Sequence, residues 1–295
     1  MRSCLLRALL LALAARAAAQ SVVTTEGDLR AAAVAGGAYV LGAHVLLTSP
    51  LLVTASFSLS AGDCGPLPAV AVASWAGNTT LPSGLTGASG LCVVDANNTV
   101  QHLVVADGGA AELTGIALLN GASPANANGG SVCVGDCGGA GAGGASLSLV
   151  NCVLYGSAIS GGSNAPGSGG CVNVGQFNTF SATRTVFQHC LGYVNGGAVS
   201  VADSIATLSN CLFVGNGFLN GLKGSFGGGV YVVSNAASPL TSAVLIATDT
   251  TFIGNLARSV PSFRHTFCVS LSLRFTPDAC TPAFSAGLRR WRRVR

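Results

Sequence analysis

The feature that most constrains this chain is that it repeats itself. Five segments align on an apolar end: Leu113-Thr-Gly-Ile-Ala-Leu118, Leu149-Val-Asn-Cys-Val-Leu154, Ala182-Thr-Arg-Thr-Val-Phe187, Leu208-Ser-Asn-Cys-Leu-Phe213 and Ala247-Thr-Asp-Thr-Thr-Phe252. A small or medium residue stands two positions before each anchor: Ile116, Cys152, Thr185, Cys211 and Thr250. Residues two apart on a strand share a face, so both positions are predicted to point inward. A second element recurs between the anchors, with paired glycines at 129–130, 169–170, 196–197 and 227–228, each followed two residues later by Val132, Val172, Val199 or Val230. Paired glycines permit a tight corner from which the valine begins a new strand.

Leu118, Leu154, Phe187, Phe213 and Phe252 lie 36, 33, 26 and 39 residues apart. The variation falls on Gly- and Ser-rich insertions at Gly135–Gly144, Ser160–Gly169 and Gly217–Phe226. Constant strands with elastic loops are the mark of a solenoid. Composition agrees: 8% charged residues exclude a charge-laced helical bundle, and 49% hydrophobic residues exclude a disordered chain. The apolar residues are mostly Val, Leu and Ala set singly among Ser, Thr, Asn and Gly, which favours short strands and tight turns.

GGAV at 196–199 with FVGN at 213–216, and GGGV at 227–230 with FIGN at 252–255, resemble the paired GGA[ILV] and FxxN repeats of polymorphic outer-membrane proteins (Pmp-type). The likeness is good over two repeats, degenerate at Phe187-Gln-His-Cys190 and weaker at Leu118 and Leu154, where the anchor is not aromatic. It covers roughly residues 100–257. The resemblance implies the pectate-lyase-like superfamily of right-handed parallel β-helices. That family's autotransporter barrel has no counterpart in the sequence, so its route of export does not carry over. The expectation is therefore an all-β chain, a right-handed single-stranded parallel β-helix of roughly seven to nine coils at about 25 residues per coil. A short amphipathic helix over Thr25–Val34, acidic in its first turn, is predicted to cap the open first coil. Short strands follow at Tyr39–Leu41, Val45–Leu47 and Leu51–Val53, and Phe57 and Leu59 then alternate with serines.

Three segments differ in character. Residues 1–20 read as a secretory signal peptide: a basic start, the apolar run Ala8–Ala15, then Ala17-Ala18-Ala19 before Gln20. Residues 21–257 form the β-helix. Residues 258–295 read as an irregular basic tail, either a contact for anionic surfaces or a gene-model artefact, the latter favoured because the character changes abruptly at Arg258 with no bridge of composition to the body. The expected location is secreted, extracellular or at the cell surface, with no transmembrane segment beyond the signal peptide. Charge is segregated in the same way. Residues 21–257 carry three cations (Arg30, Arg184, Lys223) against nine acids, a net of −6. A body of that sign does not bind nucleic acid through its phosphates.

Loss of Cys4 with the signal peptide leaves an even set of cysteines for an oxidising compartment. Cys152 and Cys211 occupy the inward repeat position and are separated by the Thr185 coil, about two strand spacings of ~4.8 Å, beyond disulfide reach. They are expected to be buried small hydrophobes. Cys64 with Cys92, and Cys133 with Cys137, flank loops and are the candidate disulfides. Asn78 and Asn97 head N-glycosylation sequons.

No catalytic constellation is legible. Glu26 and Asp28 are the one close carboxylate pair and fall in the cap helix, whereas hydrolysis of a glycoside needs two carboxylates across a cleft. Arg184 and Lys223, the cations within the coils, stand in no lyase motif. The four histidines are scattered without metal-ligand spacing, the Gly-rich runs lack a P-loop lysine, and regular TxT rows for ice or mineral binding are missing. Expected catalytic, cofactor and metal residues are thus none. The function class expected is a non-catalytic adhesive, glycan-binding or structural scaffold whose partner is an unidentified extracellular glycan or protein surface. The alternative is a degenerate polysaccharide lyase or hydrolase of the same β-helix class. The two differ in what one lateral wall should show: a carboxylate or basic cluster for an enzyme, a neutral Ser/Thr/Asn face for a scaffold.

Overall fold

The computed structural model describes residues 20–66, 91–124, 127–135, 143–159, 167–219, 226–234, 243–256 and 269–275. The chain is a parallel β-helix: every strand pairing among the described residues is parallel, and each strand pairs with its counterparts in the coils before and after. The first wall stacks, among others, Ser56–Ala61, Ala110–Thr114, Ser146–Val150, Thr179–Thr183, Ile205–Ser209 and Val244–Ile253. The second runs through Cys92–Asp95, Ile116–Leu119, Val153–Tyr155, Val186–Gln188 and Leu212–Val214. Val244–Ile253 continues through the corner between these walls and joins them into one 15-stranded sheet. A third wall is a 6-stranded sheet from Leu51–Val53 to Val230–Val233, and each of Val132, Val172, Val199 and Val230 opens its strand. A narrow 4-stranded strip lies at the corner after the second wall; it includes Gly217–Phe218, which the sequence suggested was loop.

Inward positions of all three walls form one core. Leu113, Leu149, Ala182 and Leu208 stack in register on the first wall, and Leu118, Leu154, Phe187 and Phe213 on the second. All are buried. The anchor rings form a ladder: Phe187 and Phe213 stack at 4.6 Å between centroids, Phe213 and Phe252 at 4.7 Å. Such spacing follows from the strand separation of a parallel sheet.

The corner between the first two walls is made by one residue per coil. Gly115, Asn151, Arg184, Asn210 and Asp249 occupy the same repeat position, and all have φ between 48° and 70°. A single left-handed residue turns the chain sharply, and Asn, Asp and Gly tolerate it best. The next residue is the inward small position. There the Cys152 thiol lies 3.3 Å from the Leu113 carbonyl, the Cys211 thiol 3.3 Å from that of Ala182, and the Thr185 and Thr250 hydroxyls donate to Thr183 and Thr248 at 3.1 Å. Turning the chain leaves carbonyls aimed inward, and a small donor side chain satisfies them.

At the next corner the FxxN asparagines work inside the stack. Asn216 donates to the Phe187 carbonyl at 3.0 Å and accepts from the Cys190 N–H at 2.9 Å; Asn255 donates to Phe213 at 2.9 Å and receives from Asn216 at 2.7 Å. Paired glycines open the third wall. The first of each pair has positive φ (74°, 74°, 64°, 70°), and a Cβ on Gly130, Gly170 or Gly197 would collide with the carbonyl of Gly170, Gly197 or Gly228 in the following coil.

The cap helix spans Glu26–Ala35, with Leu29, Ala32 and Ala33 buried. Thr25 caps the helix N-terminus: the Asp28 N–H donates to the Thr25 hydroxyl oxygen, whose own proton goes to the Asp28 carboxylate at 2.8 Å. Arg30 pairs with Glu26 and donates to the carbonyls of Ser49 and Pro50, so the helix is fastened to the loop before the third wall's first strand. Part of the basic tail departs from its expected irregularity: Val269–Phe275 is a strand paired in parallel with Val244–Ile253, because the same edge that received earlier coils accepts one more. The rest of that tail and the signal segment 1–19 lie outside the described residues. No described helix is long and apolar enough to cross a membrane.

Candidate functional site

The first wall is built by alternation, Leu147 and Leu149 inward against Ser146 and Ser148 outward, Phe180 and Ala182 against Thr179, Ser181 and Thr183. Because the coils are in register, outward residues line up in columns along the stack. One column runs Ser56, Ala110, Ser146, Thr179, Ile205, Val244 and the next Ser58, Glu112, Ser148, Ser181, Thr207, Ile246. A third runs Ser60, Thr114, Val150, Thr183, Ser209, Thr248. Glu112 is the one charged residue in these three columns, and the exposed Asp249 lies just beyond them at the corner.

The face is not flat. Ser146, Ser148, Thr179, Ser181 and Thr207, with Leu147, Phe180 and Ile205, line an open depression of about 270 Å³. The hydroxyls of Ser146, Ser148, Thr179, Ser181 and Thr207 make no intramolecular hydrogen bond, unlike those of Thr185, Ser131 and Ser204 in the interior. Phe177 stands two residues before Thr179, a residue that lines the depression, and is 44% exposed. Its φ is +61°, a region costly for a bulky side chain, and the neighbouring coils hold it there: Phe177 donates to the Asp203 carbonyl and accepts from the Gly144 N–H. The corresponding residue one coil earlier is Gly144, also with positive φ.

The second wall contrasts with the first. Its outward residues Val93, Ala117, Leu119, Val153, Val186 and Leu212 form a separate buried apolar cluster. Outward Ser and Thr side chains are thus frequent on the first wall and absent from this second-wall cluster.

The residues singled out from the sequence are dispersed. Cys64 and Cys92 are joined in a disulfide with Cα atoms 5.5 Å apart, at the root of the segment between them. Cys133 is disulfide-bonded, and Cys137 lies outside the described residues. A further disulfide, Cys171–Cys190, ties adjacent coils and was not foreseen. Its signal was present: Cys171 follows a Gly pair and Cys190 stands at the Asn place of a degenerate FxxN, positions that stack at one corner. Cys152 and Cys211 are free and buried. Burial pushes their thiols up to about 12 and about 11 respectively, so neither is a nucleophile at neutral pH. Asn97 lies in an exposed turn with Asn98 and Thr99, its N–H bonded to Asp95 at 2.8 Å; Asn78 lies outside the described residues.

The carboxylate pair of the cap is occupied structurally. Partial burial raises the Glu26 pKa, but the Thr48 N–H, the Arg30 guanidinium and the Thr48 hydroxyl outweigh it and hold the carboxyl down at about 2. His102 is fully buried. Burial lowers its pKa to about 4 against the opposing pull of the Leu119 and Val94 carbonyls, 2.9 and 3.0 Å from Nε2. Its Nδ1 meets the Ser131 hydroxyl at 2.8 Å. Proton on Nε2 and lone pair on Nδ1 satisfy every contact, which makes it a neutral interior bracket with no access to substrate. Among the described residues no three His, Cys, Asp or Glu side chains gather to hold a metal ion. Comparison with known proteins gave no match to any protein family, to any curated protein or to any solved structure.

Proposed function

We propose that this protein is an extracellular, non-catalytic scaffold that adheres to or displays against another surface through the first wall of its β-helix. The observation that carries this reading is the outward face of that wall: columns rich in Ser and Thr with one carboxylate, and an open depression lined by free hydroxyls together with Leu147, Phe180 and Ile205. General acid–base chemistry needs ionisable groups within reach of a bound substrate, and neutral hydroxyls without an activating base supply none. A face of that kind can instead hydrogen-bond a partner over several coils. The secretory reading rests on the N-terminal sequence and the disulfide Cys64–Cys92, which suits an oxidising compartment. Exposure at Asn97 suits a glycoprotein. Kinship with Pmp-type repeats is proposed on the GGxV and FxxN motifs alone.

The test is an array of extracellular glycans and matrix proteins probed with the full chain, with released reducing ends and unsaturated sugars assayed in parallel. Binding without product is the expected result. Turnover of any glycan would overturn the scaffold reading in favour of a lyase or hydrolase.

A further inference from the structure

We propose that the depression on the first wall, together with Phe177, is a binding track for an uncharged, extended β-linked polysaccharide such as a cellulose- or chitin-type chain. The inference rests on the scaffold reading above and names its partner.

Three independent observations converge on it. First, Ser148, Thr179, Ser181 and Thr207 offer hydroxyls that the protein itself does not use, in columns that run along the stack. Adjacent strands of a sheet lie about 4.8 Å apart, close to the advance of one pyranose in an extended β-1,4 chain, so a glycan laid along the columns meets hydroxyls sugar by sugar. Second, the depression carries no charge, which matches a neutral partner and gives an anionic uronan nothing to pair with. Third, Phe177 is an aromatic kept exposed in a left-handed backbone conformation where the preceding coil has Gly144. An exposed apolar ring held under strain two residues from hydroxyl-bearing Thr179, next to a depression that mixes hydroxyls with Leu147, Phe180 and Ile205, suits the C–H face of a pyranose. Gly143 leaves room for it, since a Cβ there would press against the Phe177 Cβ.

Depletion of the full chain from solution by swollen cellulose and by colloidal chitin tests the track. Polygalacturonate gel serves as the charged probe, with Phe177→Gly and Thr207→Val as variants. Glycine suits the backbone at 177 and valine suits a strand, so both variants are chosen to keep the fold, which a thermal melt verifies. We expect binding to cellulose or chitin that is insensitive to added salt, and a loss of roughly tenfold or more in affinity for Phe177→Gly. Failure to bind either neutral probe, binding that both folded variants retain unchanged, or binding that salt abolishes would each overturn the proposal. Binding to a protein or charged spot of the array without neutral-glycan binding would overturn this assignment alone and leave the scaffold reading standing. Cleavage of a probe would overturn both.

Discussion

Phe213 illustrates how much a single side chain carries here. Its ring is buried between those of Phe187 and Phe252, in contact with the coil on each side. Phe213→Ala should cost about 3–5 kcal/mol, read from the denaturant midpoint, because the stack on either side restricts collapse of the cavity. A loss near zero would mean that the ring is not core. His102 contributes a second residue-scale effect, one that depends on pH. Its folded pKa is about 4, below the ordinary value of 6.5 for the unfolded chain, so the neutral form is favoured by folding. The stability it supports is complete above pH 6.5 and falls as pH drops from there towards about 4, by about 3 kcal/mol for a shift of this size. Melting measured across that window should show the decline. Glu26 acts in a lower window, between its ordinary 4.5 and about 2, so the two contributions are separable. A midpoint flat from pH 7 to 4 would rule out the neutral-bracket role of His102.

At the scale of elements, the corners hold the coil's shape more than the strands do. Each corner leaves backbone groups pointing inward, and each has its own remedy: thiols and hydroxyls after the left-handed residue, asparagine amides after the anchor, backbone contact between stacked glycines at the third. Asn216→Ala would strip partners from the Phe187 carbonyl and the Cys190 N–H together. We expect a cost of about 2–4 kcal/mol, since each buried group left unpaired forfeits about 1–3 kcal/mol. Asn216→Leu, similar in size and equally unable to bond, should rescue little; full rescue would show that volume and not hydrogen bonding sets the cost. The disulfide Cys171–Cys190 links neighbouring coils at the same corner, 19 residues apart in sequence. Replacing both cysteines by alanine should lower stability by about 2–4 kcal/mol, with Cys152 and Cys211 unlabelled by thiol reagents until the protein unfolds.

For the whole molecule, the stack is quasi-one-dimensional, and its ends are the weak points. The first coil presents the edge of Leu51–Val53 and the apolar interior around Leu41 and Leu47, and the helix Glu26–Ala35 covers them with Leu29, Ala32 and Ala33. Removing residues 21–35 should therefore convert a monodisperse protein into oligomers or aggregate through the exposed edge, visible by light scattering. A truncated chain that stays monomeric and fully folded would show that the helix is dispensable.

What the sequence determined by itself was the repeat and hence the architecture. The spacing of Leu118, Leu154, Phe187, Phe213 and Phe252, and the glycine pairs between them, can be satisfied together only if successive coils stack in register, because side-chain direction alternates with a period of two. That logic also separated Cys152 from Cys211 and placed both inside. The polar features needed coordinates. Whether Ser148, Ser181 and Thr207 stand in one column depends on the pairing register across insertions of unequal length, which no local pattern encodes. Cys171 and Cys190 meet only because two different repeat elements are superposed at one corner, and the exposure of Phe177 in a left-handed turn is a property of backbone angles. Periodic burial of apolar groups is written along the chain; the juxtaposition of groups from different coils is fixed only when the coils close.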